Sequence, residues 1–271
     1  MDNVLEKTGV TCFFYTRITG VCTEERAVTA LECVDDEGGF LVEAKAFVDT
    51  TGDANVVHLA GAPTLWGDEN GNVQAATLPF RLSGVDTSCD LTPQAVEKAV
   101  IRAKEDGIPH LTKEKGFILK REGSDQVAVL LPSTIPAGLD CEELTKMELD
   151  TRRQVSLWVE AFKKYLHGME DCELTVIGPA IGFRETRRMK GKEIITAEDV
   201  LGRRKRPDGV ARAGWKPEIH MDANKMGTFI EVSEGSWFDV PLGALQCESL
   251  DNLYGAGRMV SSEQTAHAAV R

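Results

Sequence analysis

The chain has 271 residues, 42% of them hydrophobic and 27% charged, with a formal net charge of −12 at pH 7. This is enough apolar material for a sizeable core in one or two domains, and the acidic balance argues against nucleic acid as a main partner. No apolar run approaches the ~20 residues of a membrane helix and the opening MDNVLEKTGV lacks a signal-peptide pattern, so a cytoplasmic location without a membrane partner is expected.

In chain order, residues 10–49 read as a β-meander. Val10–Tyr15, Ile18–Cys22, Ala27–Val34 and Phe40–Val48 are β-rich runs, separated by turn signals at Glu24-Glu25 and Asp35–Gly39. The last run ends on glycine, Phe47-Val48-Asp49-Thr50-Thr51-Gly52-Asp53. A second run far away ends alike, Asn252-Leu253-Tyr254-Gly255-Ala256-Gly257-Arg258. A strand that stops on glycine turns sharply and approaches a ligand closely, and a following helix offers N–H groups to an anion. Either run alone reads equally well as a buried strand with a turn.

Residues 91–106 predict a helix with Thr92 as N-cap, Pro93 in the first turn, and Val96, Ala99, Val100 and Ala103 on one face. A longer helix is expected from Thr145, which has capping-box spacing to Glu148. Met147, Thr151, Val155, Trp158, Phe162 and Tyr165 form its apolar stripe, and Gly168 ends it. That stripe reads as core packing against a sheet. Strands return at Leu174–Ile177 and Thr228–Val232.

The seven cysteines are odd in number and never spaced as CxxC, which argues for ordinary reduced thiols and against a disulfide framework, a zinc site or a dithiol centre; no metal is expected. From Arg184 to Arg206 nine basic residues face four acidic ones. The tetrad Arg203-Arg204-Lys205-Arg206, ahead of Pro207-Asp208-Gly209, reads as a solvated loop. Arg184, Arg187 and Arg188 alternate so as to aim one face at a site.

Four blocks, VDTTGDANVVHLAGAP (48–63), QAATLPFRLSGVD (74–86), IGFRETRRMKG (181–191) and DNLYGAGRMVSSEQTAHAAVR (251–271), resemble, in order and spacing, the FAD-dependent oxidoreductase family with the glutathione-reductase-like, two-dinucleotide-binding-domain fold. The resemblance covers nearly the whole chain. It implies a mixed α/β fold. An incomplete Rossmann-like FAD domain (1–85 and 238–271) would carry the antiparallel meander, and a substrate domain of mixed sheet and helices (86–237) would be inserted in it. No GxGxxG strand-turn-helix is present, and the chain stops inside the expected closing helix. An incomplete flavoprotein is therefore expected, one that self-associates or is completed by another chain.

On this resemblance FAD is the cofactor. Thr51, Gly52 and Asp53 would lie by its adenosine half, and Gly255, Gly257, Arg258 and the backbone to Ser261, at the start of a helix, by its flavin. Asp53 reads equally as a helix N-cap, and the two roles are compatible. Arg184 is the candidate for binding a substrate carboxylate, or else a structural partner of Glu185. His220 is the candidate proton donor or acceptor, or else structural. Gln264 stands where relatives carry histidine. Three readings follow: an FAD-dependent oxidoreductase, or part of one, acting on a small carboxylate-bearing substrate; a folded remnant or subunit that binds no FAD alone and serves as an interaction module; and an acidic interaction protein without cofactor, which leaves the four blocks unexplained.

Overall fold

The computed structural model describes residues 2–120 and 122–271, a mixed α/β chain of small sheets with six α-helices among those residues. The helices are α1 (Asp2–Thr8), α2 (Asn55–Leu59), α3 (Pro93–Glu105), α4 (Cys141–Tyr165), α5 (Ala197–Leu201) and α6 (Gln264–Val270). The contacts divide into two units: Met1–Leu65, Arg187–Ala213 and Phe238–Glu263 in the first, Trp66–Thr186, Gly214–Trp237 and Gln264–Arg271 in the second. Relative to the segments expected from the sequence, residues 66–85, 187–213 and 264–271 fall on the other side.

In the first unit, β1 (Arg17–Glu24), β2 (Ala27–Asp35) and β3 (Gly38–Glu43) form an antiparallel meander in that order. Its β2 alternates over its first half, burying Val28 and Ala30, and the alternation breaks before Cys33, which is also buried. The run Val10–Tyr15 is not a strand. No ladder partner is available to it, and Phe13 and Phe14 stay largely exposed. The run expected as one strand over Phe40–Val48 divides instead. Its first part pairs with β2, and β4 (Phe47–Asp49) pairs in parallel with Leu253–Gly255, with Gly255 opposite Asp49. Phe47, Val57, Met189, Leu253 and Met259 make the core behind this pair.

Asp49, at the end of β4, is 1% exposed and its carboxylate accepts four hydrogen bonds. Oδ1 takes the Thr51 N–H at 2.9 Å and hydroxyl at 2.7 Å; Oδ2 takes the N–H groups of Val56 and Val57 at 2.9 and 3.1 Å. The Thr51 hydroxyl oxygen accepts the Asn55 N–H at 2.9 Å. A carboxylate six residues before the first residue of α2 thus caps the helix. Asp53, which the sequence offers as the cap, does not, and Ala54 in the left-handed region precedes the helix without a side-chain cap of its own.

In the second unit a four-stranded antiparallel sheet runs in the order Glu173–Ile177, Phe80–Ser83, Val127–Val129, Ile118–Lys120. Helices α3 and α4 pack together, and Trp158 and Phe162, fully buried on α4, lie 5.5 Å apart between ring centroids within the core. Helix α3 starts as predicted, with the Thr92 hydroxyl accepting the Ala95 N–H. Helix α4 starts earlier than Thr145, because Asp140 accepts the N–H groups of Glu142 and Glu143 and two acidic residues follow in the first turn. The Thr145 hydroxyl bonds back to the Cys141 carbonyl instead. No helix among the described residues is long and apolar enough to cross a membrane.

Replacing Asp49 by alanine strands buried N–H donors, and a loss of about 3 kcal/mol in unfolding free energy is expected. The exposed neighbour change Thr50→Ala is expected to stay within about 0.5 kcal/mol. Equilibrium denaturation of the two variants checks the contrast.

Candidate functional site

Two constellations stand out, one in each unit. In the first unit, the paired strand ends of β4 and Leu253–Gly255 lead into glycine turns, Gly52 at φ +81° and Gly257 at φ +84°. The Ala256 N–H donates to the Asp49 carbonyl at 3.0 Å, continuing the parallel ladder to its last residue. The Arg258 guanidinium donates to Asp53 Oδ1 at 2.7 Å and lies so close over Gly52 that a β-carbon there would collide with it. Gly255 is equally constrained, since a β-carbon would come 2.9 Å from Met259 Cε and 3.2 Å from Met189 Sδ. Thr51 is exposed, and Gly257 faces open space.

No helix begins after Gly257. The chain turns there, with the Val260 N–H on the Gly257 carbonyl, and α6 starts only at Gln264. Ser261 is fully buried: its N–H donates to the Ala244 carbonyl, its hydroxyl accepts the Gly191 N–H at 3.0 Å, and its carbonyl accepts from Ile195. At α2 the first N–H groups are consumed by Asp49 and Thr51. The expectation of two helix N-termini offered to an anion is therefore corrected at both runs.

In the second unit, a cavity of about 250 Å³ is lined by Lys113, Arg184, Glu218 and His220, with Phe117 and Met226 as apolar wall. Arg184 Nη1 donates to the Ala75 carbonyl and the Thr77 hydroxyl, both at 2.7 Å, which anchors one edge of the guanidinium. Among the described residues no carboxylate lies within ion-pair distance of it, Glu185 included. Burial pushes Arg184 below the usual arginine range, partly opposed by Glu218. Lys113 is 4% exposed and makes no hydrogen bond or ion pair with the described residues. Burial, with the nearby Arg184 charge, pushes its ammonium down to about 8.

His220 Nε2 lies 3.1 Å from Glu218 Oε1. A carboxylate only accepts, so Nε2 carries the hydrogen and Nδ1 is left as a buried acceptor without a partner. Burial first, then Arg184, Arg271 and Lys113, push this imidazole down to about 3. It is neutral at ordinary pH, a hydrogen-bond acceptor rather than an acid. Behind it, Gln74 Oε1 accepts both the His220 N–H at 3.1 Å and Arg271 Nη1 at 2.7 Å, while Arg271 Nη2 donates to the Glu218 carbonyl. Gly227 presses on the ring so closely that a β-carbon would sit 2.5 Å from Cε1.

The three alternating arginines do not share one face. Arg184 lines the cavity. Arg187 binds the Asp53 carbonyl and Asn55 Oδ1 at 3.0 and 2.7 Å, holding the turn after β4, and Arg188 is buried with Nε on the Ser262 carbonyl. The tetrad is tied down by ion pairs, Arg204 to Asp199 and Arg206 to Glu193 and Asp208. Gln264 donates to the Asn72 carbonyl and to buried Glu185. Sequence reasoning missed Lys113, Glu218 and Arg271. Lys113 lies in the charge-rich run Lys113-Glu114-Lys115, which carries no sequence signal of its burial.

The chain belongs to the FAD dependent oxidoreductase family, whose model matches residues 1–271. FAD is the cofactor of this family. No curated protein matches the chain. Among solved structures it is similar to a geranylgeranyl bacteriochlorophyll reductase-like protein from Thermoplasma acidophilum (13% identity, TM-score 0.39, covering 63% of this chain and 37% of that one). It is also similar to a flavin-dependent brominase (12%, 0.38, 69% and 44%) and to an anhydrotetracycline hydroxylase from Streptomyces rimosus (12%, 0.36, 71% and 33%). The chain thus spans less than half the length of each of these proteins, and no residue role is taken from them.

An unfolded imidazole protonates near 6.5, whereas His220 in the fold does so only near 3. Its contribution to stability is therefore full above pH 6.5 and is lost as the pH falls below it, by at most about 1.4 kcal/mol per pH unit. The acid limb of the stability profile is expected to be shallower in His220→Gln, as read by denaturation midpoints from pH 6.5 downward.

Proposed function

We propose that the chain acts as an FAD-dependent oxidoreductase that moves a hydride between the flavin and a small organic substrate bearing a carboxylate. The observation that carries the substrate class is the cavity in which Arg184 keeps a guanidinium edge without a protein carboxylate. A guanidinium meets a carboxylate with two parallel hydrogen bonds, and burial strengthens that contact. Arg184 binds the carboxylate, Nδ1 of His220 accepts a hydrogen bond from a substrate hydroxyl or amine, and Phe117 and Met226 contact the carbon skeleton. Glu218 holds the His220 tautomer, a positioning role.

The first unit's residues fit the family's cofactor in part. Ligands of parallel strands sit beyond their carboxyl ends, where Thr51, Gly52 and Asp53 meet Gly255, Gly257 and Arg258. These would hold FAD through tight turns and one arginine, with Ser261 bracing the turn from inside. When bound, FAD supplies the hydride acceptor. The α2 N-terminus, capped by Asp49 and Thr51, offers no free N–H cluster to a pyrophosphate. That observation favours a second reading, in which the chain retains FAD only weakly alone and serves as a subunit or interaction module.

The visible absorption spectrum after incubation with FAD and removal of the excess separates the two. A retained flavin spectrum that bleaches anaerobically with small carboxylic acids supports the enzyme; a colourless protein supports the module. In the flavin-loaded protein, Arg184→Lys is expected to raise the Kd of a bound carboxylate by about tenfold or more, because the bidentate contact is lost. Unchanged affinity would remove Arg184 from the proposal.

A further inference from the structure

Lys113 and Arg184 lie 71 positions apart in sequence yet line the same cavity. Both are cations, and each lacks a carboxylate within ion-pair distance among the described residues. Of the other charges of the lining, Lys115 pairs with Glu97 at 3.0 Å, and Glu218, hydrogen-bonded to the neutral His220, partly offsets Arg184 without reaching ion-pair distance of either cation. Burying two like charges side by side is costly unless something neutralises them. One carboxylate on Arg184 leaves Lys113 uncompensated. Phe117, Leu130 and Met226 of the same lining are apolar and suit a short alkyl spine. A volume of about 250 Å³ is below the ~300–1,000 Å³ of sites for drug-sized ligands.

Resting on the carboxylate reading above, we propose that Lys113 and Arg184 are the two ends of a clamp for a small aliphatic dicarboxylate, one carboxylate on each cation. Substrate selection then follows from charge at both ends. A monocarboxylate satisfies Arg184 alone, and a compact anion such as inorganic phosphate lacks the spine for the apolar wall.

The test is calorimetric titration of the whole protein with succinate, butyrate and inorganic phosphate, for the wild type, Lys113→Met and Lys113→Arg, together with Arg184→Lys. Succinate is expected to bind about tenfold or more tightly than butyrate to the wild type, a preference of ~1.4 kcal/mol or more. Lys113→Met abolishes the preference while leaving butyrate within about twofold, and Lys113→Arg keeps it. The preference also fades as the pH rises through about 8, where Lys113 loses its charge and Arg184 does not. Equal affinity for succinate and butyrate in the wild type, a preference surviving in Lys113→Met, or phosphate binding as tightly as succinate would each overturn the clamp. Butyrate binding that depends on Arg184 would leave the carboxylate reading standing even then. No binding of either acid would overturn both. The wild-type comparison needs no variant, so a folding defect in one of them leaves the result decisive.

Discussion

The first unit is organised around one buried carboxylate. Asp49 gathers four donors from two segments, Thr51 on the turn and Val56 and Val57 on α2, and so fixes the eight residues that carry Gly52 and Asp53. A buried ion is tolerable only when its lone pairs are filled by donors in good geometry, and here all four contacts lie between 2.7 and 3.1 Å. Gly52 and Ala54, both left-handed, lie inside that closure. Arg187 and Arg258 hold the same turn, one on the Asp53 carbonyl and the other on its carboxylate.

The second unit shows the opposite use of charge. Where Asp49 is saturated, Lys113 and one edge of Arg184 are left without anionic partners, and Nδ1 of His220 and Nε2 of Gln74 are buried without hydrogen bonds. Folding around such groups costs free energy that an apolar core would not. The cost is contained by anchoring what can be anchored. The carbonyl of Ala75 and the hydroxyl of Thr77 hold Arg184, and Gln74 ties the His220 backbone to Arg271. Positions held this firmly, with the reactive edges left open, are the arrangement expected of a binding site on a rigid frame.

Periodicity made α3 and the stripe of α4 legible in the sequence, because each depends on spacing that a one-dimensional pattern preserves, and β2 was legible as a β-rich run. The start of α4 was misplaced because Asp140 and Thr145 are both capable caps, and only the three-dimensional path decides between them. Val10–Tyr15 has strand composition but no ladder partner. The cap of α2 was hidden for another reason: Asp49 lies in the preceding strand, outside any local capping window. Within the candidate sites, the sequence singles out Arg184 through the block 181–191 and His220 through its residue type. Lys113 was not, since its burial results from long-range packing and its sequence neighbours Glu114 and Lys115 suggest solvent.

The lysine in that cavity has a chemical corollary. An ammonium pushed down to about 8 carries a substantial share of free amine at mildly alkaline pH, when exposed lysines near 10.4 are still almost wholly protonated. Free amine is the nucleophilic form. In that form Lys113 is open to acylation or carbamoylation by small electrophiles that enter the cavity, and an anion seated on it shields it from that modification.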